Sequence, residues 1–168
     1  LTYSVYEDYP VVTRSARLVQ KGNQKIRLEN VMSAAVEFPD MDYEMIHLSG
    51  AWALERYVKT RKLEMGIQAV QSLAGTGSSS EQNPFIALKR PHTTEDTGEV
   101  FGFSFVYSGN FLAQVEVSTY EMTRVMMGIN PQGFSWELSR DEEFQTPEVV
   151  MVYSDKGLNG MSQAYHRL

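Results

Sequence analysis

The chain has 168 residues, 42% of them hydrophobic and 21% charged, with a formal net charge of −6 and no cysteine. That length supports one globular domain with a substantial core. The acidic balance argues against a nucleic-acid or anionic-membrane partner, which needs clustered Lys and Arg, and the lack of Cys excludes disulfides and thiolate metal sites.

The chain opens at Leu1 and reads as strand from Thr2 to Tyr9, a start that suggests a cut from a longer polypeptide. Val11 to Val19 follows as a second strand after Pro10, whose missing N–H suits an edge or a bend. Lys21-Gly22-Asn23-Gln24 reads as a hairpin turn into a strand over Ile26–Phe38, closed by Pro39-Asp40. Two more strands are predicted at Tyr43–Leu48 and Trp52–Lys62, with Ser49-Gly50 between them, and another at Gly66–Ser72. The Gly- and Ser-rich segment from Ala74 to Asn83 reads as a surface loop.

Strand pattern restarts over Asn83–Leu88, and Pro91–Gly98 is a second polar loop. Residues 99–117 carry the clearest signal in the chain. Phe101, Phe103, Phe105 and Tyr107 alternate with smaller neighbours, then Phe111, Ala113, Val115 and Val117 alternate again. Period two puts each set on one face of a strand, and Ser108-Gly109-Asn110 between them reads as the turn of a long hairpin. Strands at Thr123–Ile129, Phe134–Leu138, Phe144–Thr146 and Val149–Tyr153 complete the set, with Trp136 expected in the core. Leu158, Met161, Tyr165 and Leu168 recur at helical spacing, so Asn159–Leu168 is a predicted helix. Many short strands without intervening helices predict an all-β antiparallel sandwich.

Chemistry is thinner. His47, His92 and His166 share no metal-ligand spacing, and isolated imidazoles are the expectation. Asp40, Asp42 and Glu44 fit paired carboxylates for acid–base work, but read more simply as a solvated strand face. Gly75-Thr-Gly-Ser-Ser-Ser lacks the Lys of a phosphate-binding loop. Trp52 follows a Gly-containing turn with Arg56 four residues on, a pairing that suits sugar recognition by ring stacking and guanidinium hydrogen bonds. A core anchor is the equal alternative for Trp52. The nine Met residues, Met126 and Met127 among them, read as core filling. No apolar run approaches the ~20 residues of a membrane span and no signal peptide opens the chain, so a soluble, cytoplasmic protein is expected.

Several segments then occur in a specific order. They are Ser49-Gly-Ala-Trp-Ala-Leu-Glu-Arg56, Ser78-Ser-Ser-Glu-Gln-Asn-Pro-Phe85, Phe103 to Glu116, Gly128-Ile-Asn-Pro131, Phe144-Gln-Thr-Pro-Glu148 and Tyr153-Ser-Asp-Lys-Gly-Leu-Asn-Gly-Met-Ser-Gln163. Together they resemble the amino-terminal domain of the bacterial α-galactosidases of glycoside hydrolase family 36. The match departs from the family pattern at Leu54, Ala74 and Ser80.

The resemblance implies a β-supersandwich of the galactose-mutarotase-like type, with residues 1–156 as part of it. Residues 157–168 would begin a linker or helix towards an absent (β/α)8 catalytic barrel. It implies a parent that hydrolyses terminal α-galactosides such as melibiose and raffinose with retention, using two Asp residues of that barrel. Neither motif that carries them occurs here, and Tyr153-Ser154-Asp155 lacks the second Asp, so this piece is expected to be inactive and to need no cofactor. Its implied partners are the barrel in cis, the α-galactoside, and further copies in a homo-oligomer, a tetramer in the family. Arg14 falls where the family places an Arg near the galactose pocket, with a structural Arg as the competing reading. Trp52 and Arg56 are the other implied substrate-binding residues, reaching towards a neighbouring subunit's site. The alternative class is an independent β-sandwich carbohydrate-binding module.

Overall fold

A computed structural model describes residues 1–75 and 80–168. Fifteen strands and one helix are placed among them. Seven strands form the larger sheet, in the order β1 (Thr2–Val5), β2 (Val11–Ser15), β15 (Val149–Ser154), β10 (Val100–Phe105), β9 (Gln82–Lys89), β6 (Glu44–Ala51) and β7 (Leu54–Lys62). The smaller sheet has the order β5 (Met32–Phe38), β12 (Thr123–Ile129), β11 (Phe111–Val117) and β8 (Gly66–Ser72). Two short pairs flank them: β13 (Trp136–Leu138) with β4 (Ile26–Leu28), and β14 (Glu143–Gln145) with β3 (Arg17–Val19). Every strand pairing is antiparallel, as the sequence predicts.

The two sheets face each other across one apolar layer. Phe103 and Phe105 from β10 meet Phe111, Ala113, Val115 and Val117 from β11, all of them buried. Phe111, Met45, Ile86 and Leu88 are fully enclosed, and burying each such side chain stabilises the fold by about 1.5–3 kcal/mol. Phe38 and Tyr43 close the layer with edge-on ring contacts to one another and to Phe101.

The 99–117 segment is not a hairpin. Its arms lie in different sheets: β10 pairs with β9 and β15, whereas β11 pairs with β8 and β12. The connection 106–110 crosses from one sheet to the other, and Asn110 anchors it by accepting from the Gly75 and Asn130 backbone N–H groups. Neither Gly109 nor Asn110 adopts a positive φ. Gly109 is instead needed for close approach, because a Cβ there would stand 2.7 Å from the Tyr107 ring. Lys21 to Gln24 likewise joins strands that do not pair with each other, since β3 goes to β14 and β4 to β13.

The larger sheet is covered on its other face by α1 (Gly157–Arg167). Met161 and Ala164 are buried there against Val11, Ile46, Ala87, Val100, Val150 and Val152, and the Tyr165 hydroxyl donates to the Val150 carbonyl at 3.2 Å. The alternation in β10 has its second meaning here. Phe101, Phe103 and Phe105 fill the inter-sheet layer, and Gly102 lies under the helix, where a Cβ would meet Met161 Sδ and the Tyr165 ring at 2.8 Å. Among the described residues no helix is long and apolar enough to cross a membrane.

Candidate functional site

Trp52 stands at the tip of the β6–β7 hairpin, the edge of the larger sheet. Ala51 pairs with Leu54, leaving Trp52-Ala53 as the turn, and Ala53 takes φ 64°. Arg56, one turn of chain further, takes φ 63°. The register shifts between Ser49 and Ala51, and Gly50 sits inside that irregularity, where a Cβ would come 2.2 Å from the Leu54 carbonyl oxygen. A bulge of this kind bends a strand and re-aims its side chains. The result is a Trp52 ring that is 87% exposed, so it is no core anchor, and it belongs to the turn rather than to the strand predicted over Trp52–Lys62.

Arg56 is exposed and borders an open groove of about 420 Å³ between the hairpin and α1, together with Asn83, Phe85, Tyr165 and His166. Arg14 is elsewhere. It lies in β2, half-buried, and its guanidinium donates from Nη1 to the Ser33 carbonyl in β5 at 2.6 Å and from Nε to the Tyr3 hydroxyl at 2.9 Å. Its Cζ sits 5.6 Å from the Tyr3 ring centre. These contacts tie the large sheet to the small one. β2 and β7 are separated by β15, β10, β9 and β6, so at ~4.8 Å per strand spacing Arg14 lies roughly 24 Å from the hairpin that carries Trp52 and Arg56. This chain therefore brings Trp52 and Arg56 together and keeps Arg14 apart.

The acidic cluster is engaged in structure. Asp40 receives Arg90 in a two-pronged pair at 2.6 and 3.1 Å, and Arg90 also reaches Glu99 at 3.3 Å and lies 3.9 Å over the Tyr43 ring. Glu44 pairs with Lys89 at 2.5 Å. The hydrogen bond from Arg90 holds the Asp40 carboxyl below its ordinary range, and burial pushes the Tyr43 hydroxyl up to about 12. Asp40 and Glu44 are thus not the solvated face the spacing suggests, because Lys89 at the end of β9 and Arg90 just after it stand beside them, whereas Asp42 is exposed.

His47 is buried. Arg61 donates to its Nε2 from both Nε and Nη2, at 3.1 and 2.9 Å. A guanidinium can only donate, so the ring is neutral with its proton on Nδ1. Burial and the Arg61 charge both lower its pKa. His92 and His166 are exposed, and among the described residues no His, Asp and Glu cluster is arranged to hold a metal. Trp136 is half-exposed rather than core, leaning on Phe144 at 5.5 Å from a short peripheral strand. Residues 76–79 of the Gly75 to Ser80 segment, the phosphate-loop candidate, lie outside the described residues. Sequence periodicity missed a hollow beside α1 where residues 8–9, 153–155 and 163–167 converge, since no spacing rule links positions about 150 apart.

Comparison with known proteins supplies what the geometry leaves open. Residues 1–139 match the glycosyl hydrolase family 36 N-terminal domain. The α-galactosidase AgaA of Geobacillus stearothermophilus is 56% identical over all 168 residues, and Mel36A of Lactobacillus acidophilus is 46% identical over the same length. The chain spans 23% of the length of each of these relatives. The crystal structure of AgaA superposes with a TM-score of 0.96 over 99% of this chain and 23% of that one. A variant of that enzyme has been solved in complex with stachyose. A match over most of the chain, in sequence and in three dimensions, leaves one assignment: this chain belongs to glycoside hydrolase family 36, as its N-terminal domain.

Proposed function

We propose that the chain serves a parent α-galactosidase of the retaining type, acting in the cytoplasm on terminal α-galactosides such as melibiose and raffinose. Residues 1–156 form its sandwich part and residues 157–168 lead towards the catalytic barrel. Hydrolysis with retention needs two carboxyl groups about 5–5.5 Å apart across the scissile bond. Asp40 and Glu44, the best-placed acids on the sequence pattern, are neutralised by Arg90 and Lys89. The domain's own contribution is therefore non-catalytic: it buttresses the barrel, contributes to a homo-oligomer, and forms part of the rim of the sugar pocket.

Trp52 carries the rim reading. An indole held out on a hairpin, 87% exposed, is costly to keep in water, and a sugar ring face is a natural partner for it. Arg56 on the same hairpin adds hydrogen-bond donors for hydroxyls. Arg14, already fastened to Ser33 and Tyr3, is proposed as a second and separate approach to the galactose, through the guanidinium edge those bonds leave free. In the full-length enzyme, Trp52→Ala is expected to lower kcat/KM for raffinose roughly tenfold, the loss of about 1.4 kcal/mol of stacking, with an unchanged melting temperature. An unchanged kcat/KM would remove Trp52 from the rim.

A further inference from the structure

The hollow beside α1 has a different character from either of those positions. The β1–β2 connection brings Asp8 and Tyr9 over the end of β15 and one face of α1, enclosing about 440 Å³ with Tyr153, Asp155, Gln163 and Arg167. Its floor is Ser154 and Gly160. A Cβ at Gly160 would stand 2.2 Å from Ser154 Oγ, so the missing methyl lets the helix close down and set the depth of the hollow. Ser154 Oγ is fixed in turn by the Lys156 backbone N–H at 3.0 Å.

Among the described residues, the side chains of Asp8, Asp155, Gln163 and Arg167 have no hydrogen-bond or ion-pair partner. Four planar polar groups, two accepting carboxylates, one guanidinium donor and one amide of both kinds, thus converge unengaged. The Tyr9 ring, packed against the apolar cluster under α1, lines the same hollow.

Charge and dipole narrow the ligand class. Asp8 and Asp155 are balanced by Lys156 and Arg167, so the hollow has no net charge to attract an ion. The N-terminus of α1 is taken as well. Gly157, Leu158 and Asn159 donate their N–H groups to the carbonyls of Gly98, Thr94 and Glu95 at 3.0, 3.1 and 2.8 Å, which removes the donors an anion would use. Mixed donors and acceptors with an aromatic wall suit a neutral ring that carries adjacent hydroxyls on its edge and C–H groups on its face. The volume lies in the range of small-ligand pockets, about 300–1,000 Å³.

We propose that this hollow binds a neutral mono- or disaccharide, with Asp8, Asp155, Gln163 and Arg167 bonding its hydroxyls and Tyr9 packing on its ring. The proposal goes beyond the rim reading and shares no residue with it. Titrating the ¹⁵N-labelled chain with melibiose is expected to move the amide signals of Asp155, Lys156, Gly160 and Gln163, with a Kd on the order of 1–10 mM. Asp8→Ala and Gln163→Ala, both exposed and free of structural contacts, should each raise that Kd roughly fivefold, the loss of one hydrogen bond, at an unchanged melting temperature. Inorganic phosphate should leave the same signals in place. The proposal is overturned by melibiose shifts that are absent at about 100 mM, by shifts that survive in both variants, or by a response to phosphate without one to melibiose. The Trp52→Ala kinetics described above are unaffected by any of these outcomes, so the two readings fail separately.

Discussion

At the scale of single residues, two tryptophans show what a residue type does and does not determine. Both carry a large apolar area, and both sit beside strand-forming neighbours. Trp52 is thrown out on a turn by Ala53 and Arg56 in left-handed conformations, and Trp136 rests on the side of Phe144 in a three-residue strand at the sandwich periphery. Burial depends on where the strand lies, which the composition of that strand does not contain. In Trp136→Phe, which isolates Trp52, fluorescence should be that of a fully solvated indole: red-shifted and freely quenched by acrylamide. A blue-shifted band would contradict the geometry. Phe111 is the opposite case, fully enclosed between the sheets. Phe111→Ala should cost about 3–5 kcal/mol, the transfer free energy plus the cavity left behind, read from urea unfolding.

At the scale of elements, the sequence was legible wherever one strand face is buried and the other is not. β12 and β8 occupy the residues their alternation predicts, and β11 shows buried and half-buried positions in strict turn. Which strand lies beside which was not legible. Period two states that Phe103 and Phe105 share a face, and Phe111 and Val115 another, and is silent on whether the two faces are coplanar or opposed. Here they are opposed, so an apparent hairpin became a crossing between sheets. The site shows the same division. Trp52 and Arg56 were readable as a pair because they share one hairpin, but the separation from Arg14 follows from strand order. The hairpin itself offers a test. Gly50→Ala forces a methyl onto the Leu54 carbonyl, and overpacking of this kind costs roughly 1–3 kcal/mol. Amide exchange should accelerate across residues 45–61 first, because β7 is an edge strand paired on one side alone. Uniform acceleration over both sheets would show instead that the bulge is coupled to the whole core.

At the scale of the whole molecule, the ionisable groups that matter to stability are the ones locked between strands. His47 is packed against Arg61 and Lys59 of β7 and faces Gln82 of β9. Burial and those two cations hold its pKa below the ordinary imidazole value. Below about pH 6.5 the unfolded chain then binds a proton that the folded chain declines. The stability contributed by neutral His47 is complete above that pH and declines as the pH falls towards the folded-state value. Asp40 acts further down the scale. Arg90 depresses its pKa, so its contribution is complete above about pH 3.9 and is lost as the pH falls through the folded-state value. Two separate losses are expected on acidification, the first setting in as the pH falls below about 6.5. Urea unfolding at successive pH values will resolve them. His47→Gln should flatten the first step and leave the second, since an amide can still accept from Arg61 but cannot titrate. A first step of undiminished size in His47→Gln would place the responsible proton on another group and remove His47 from the account.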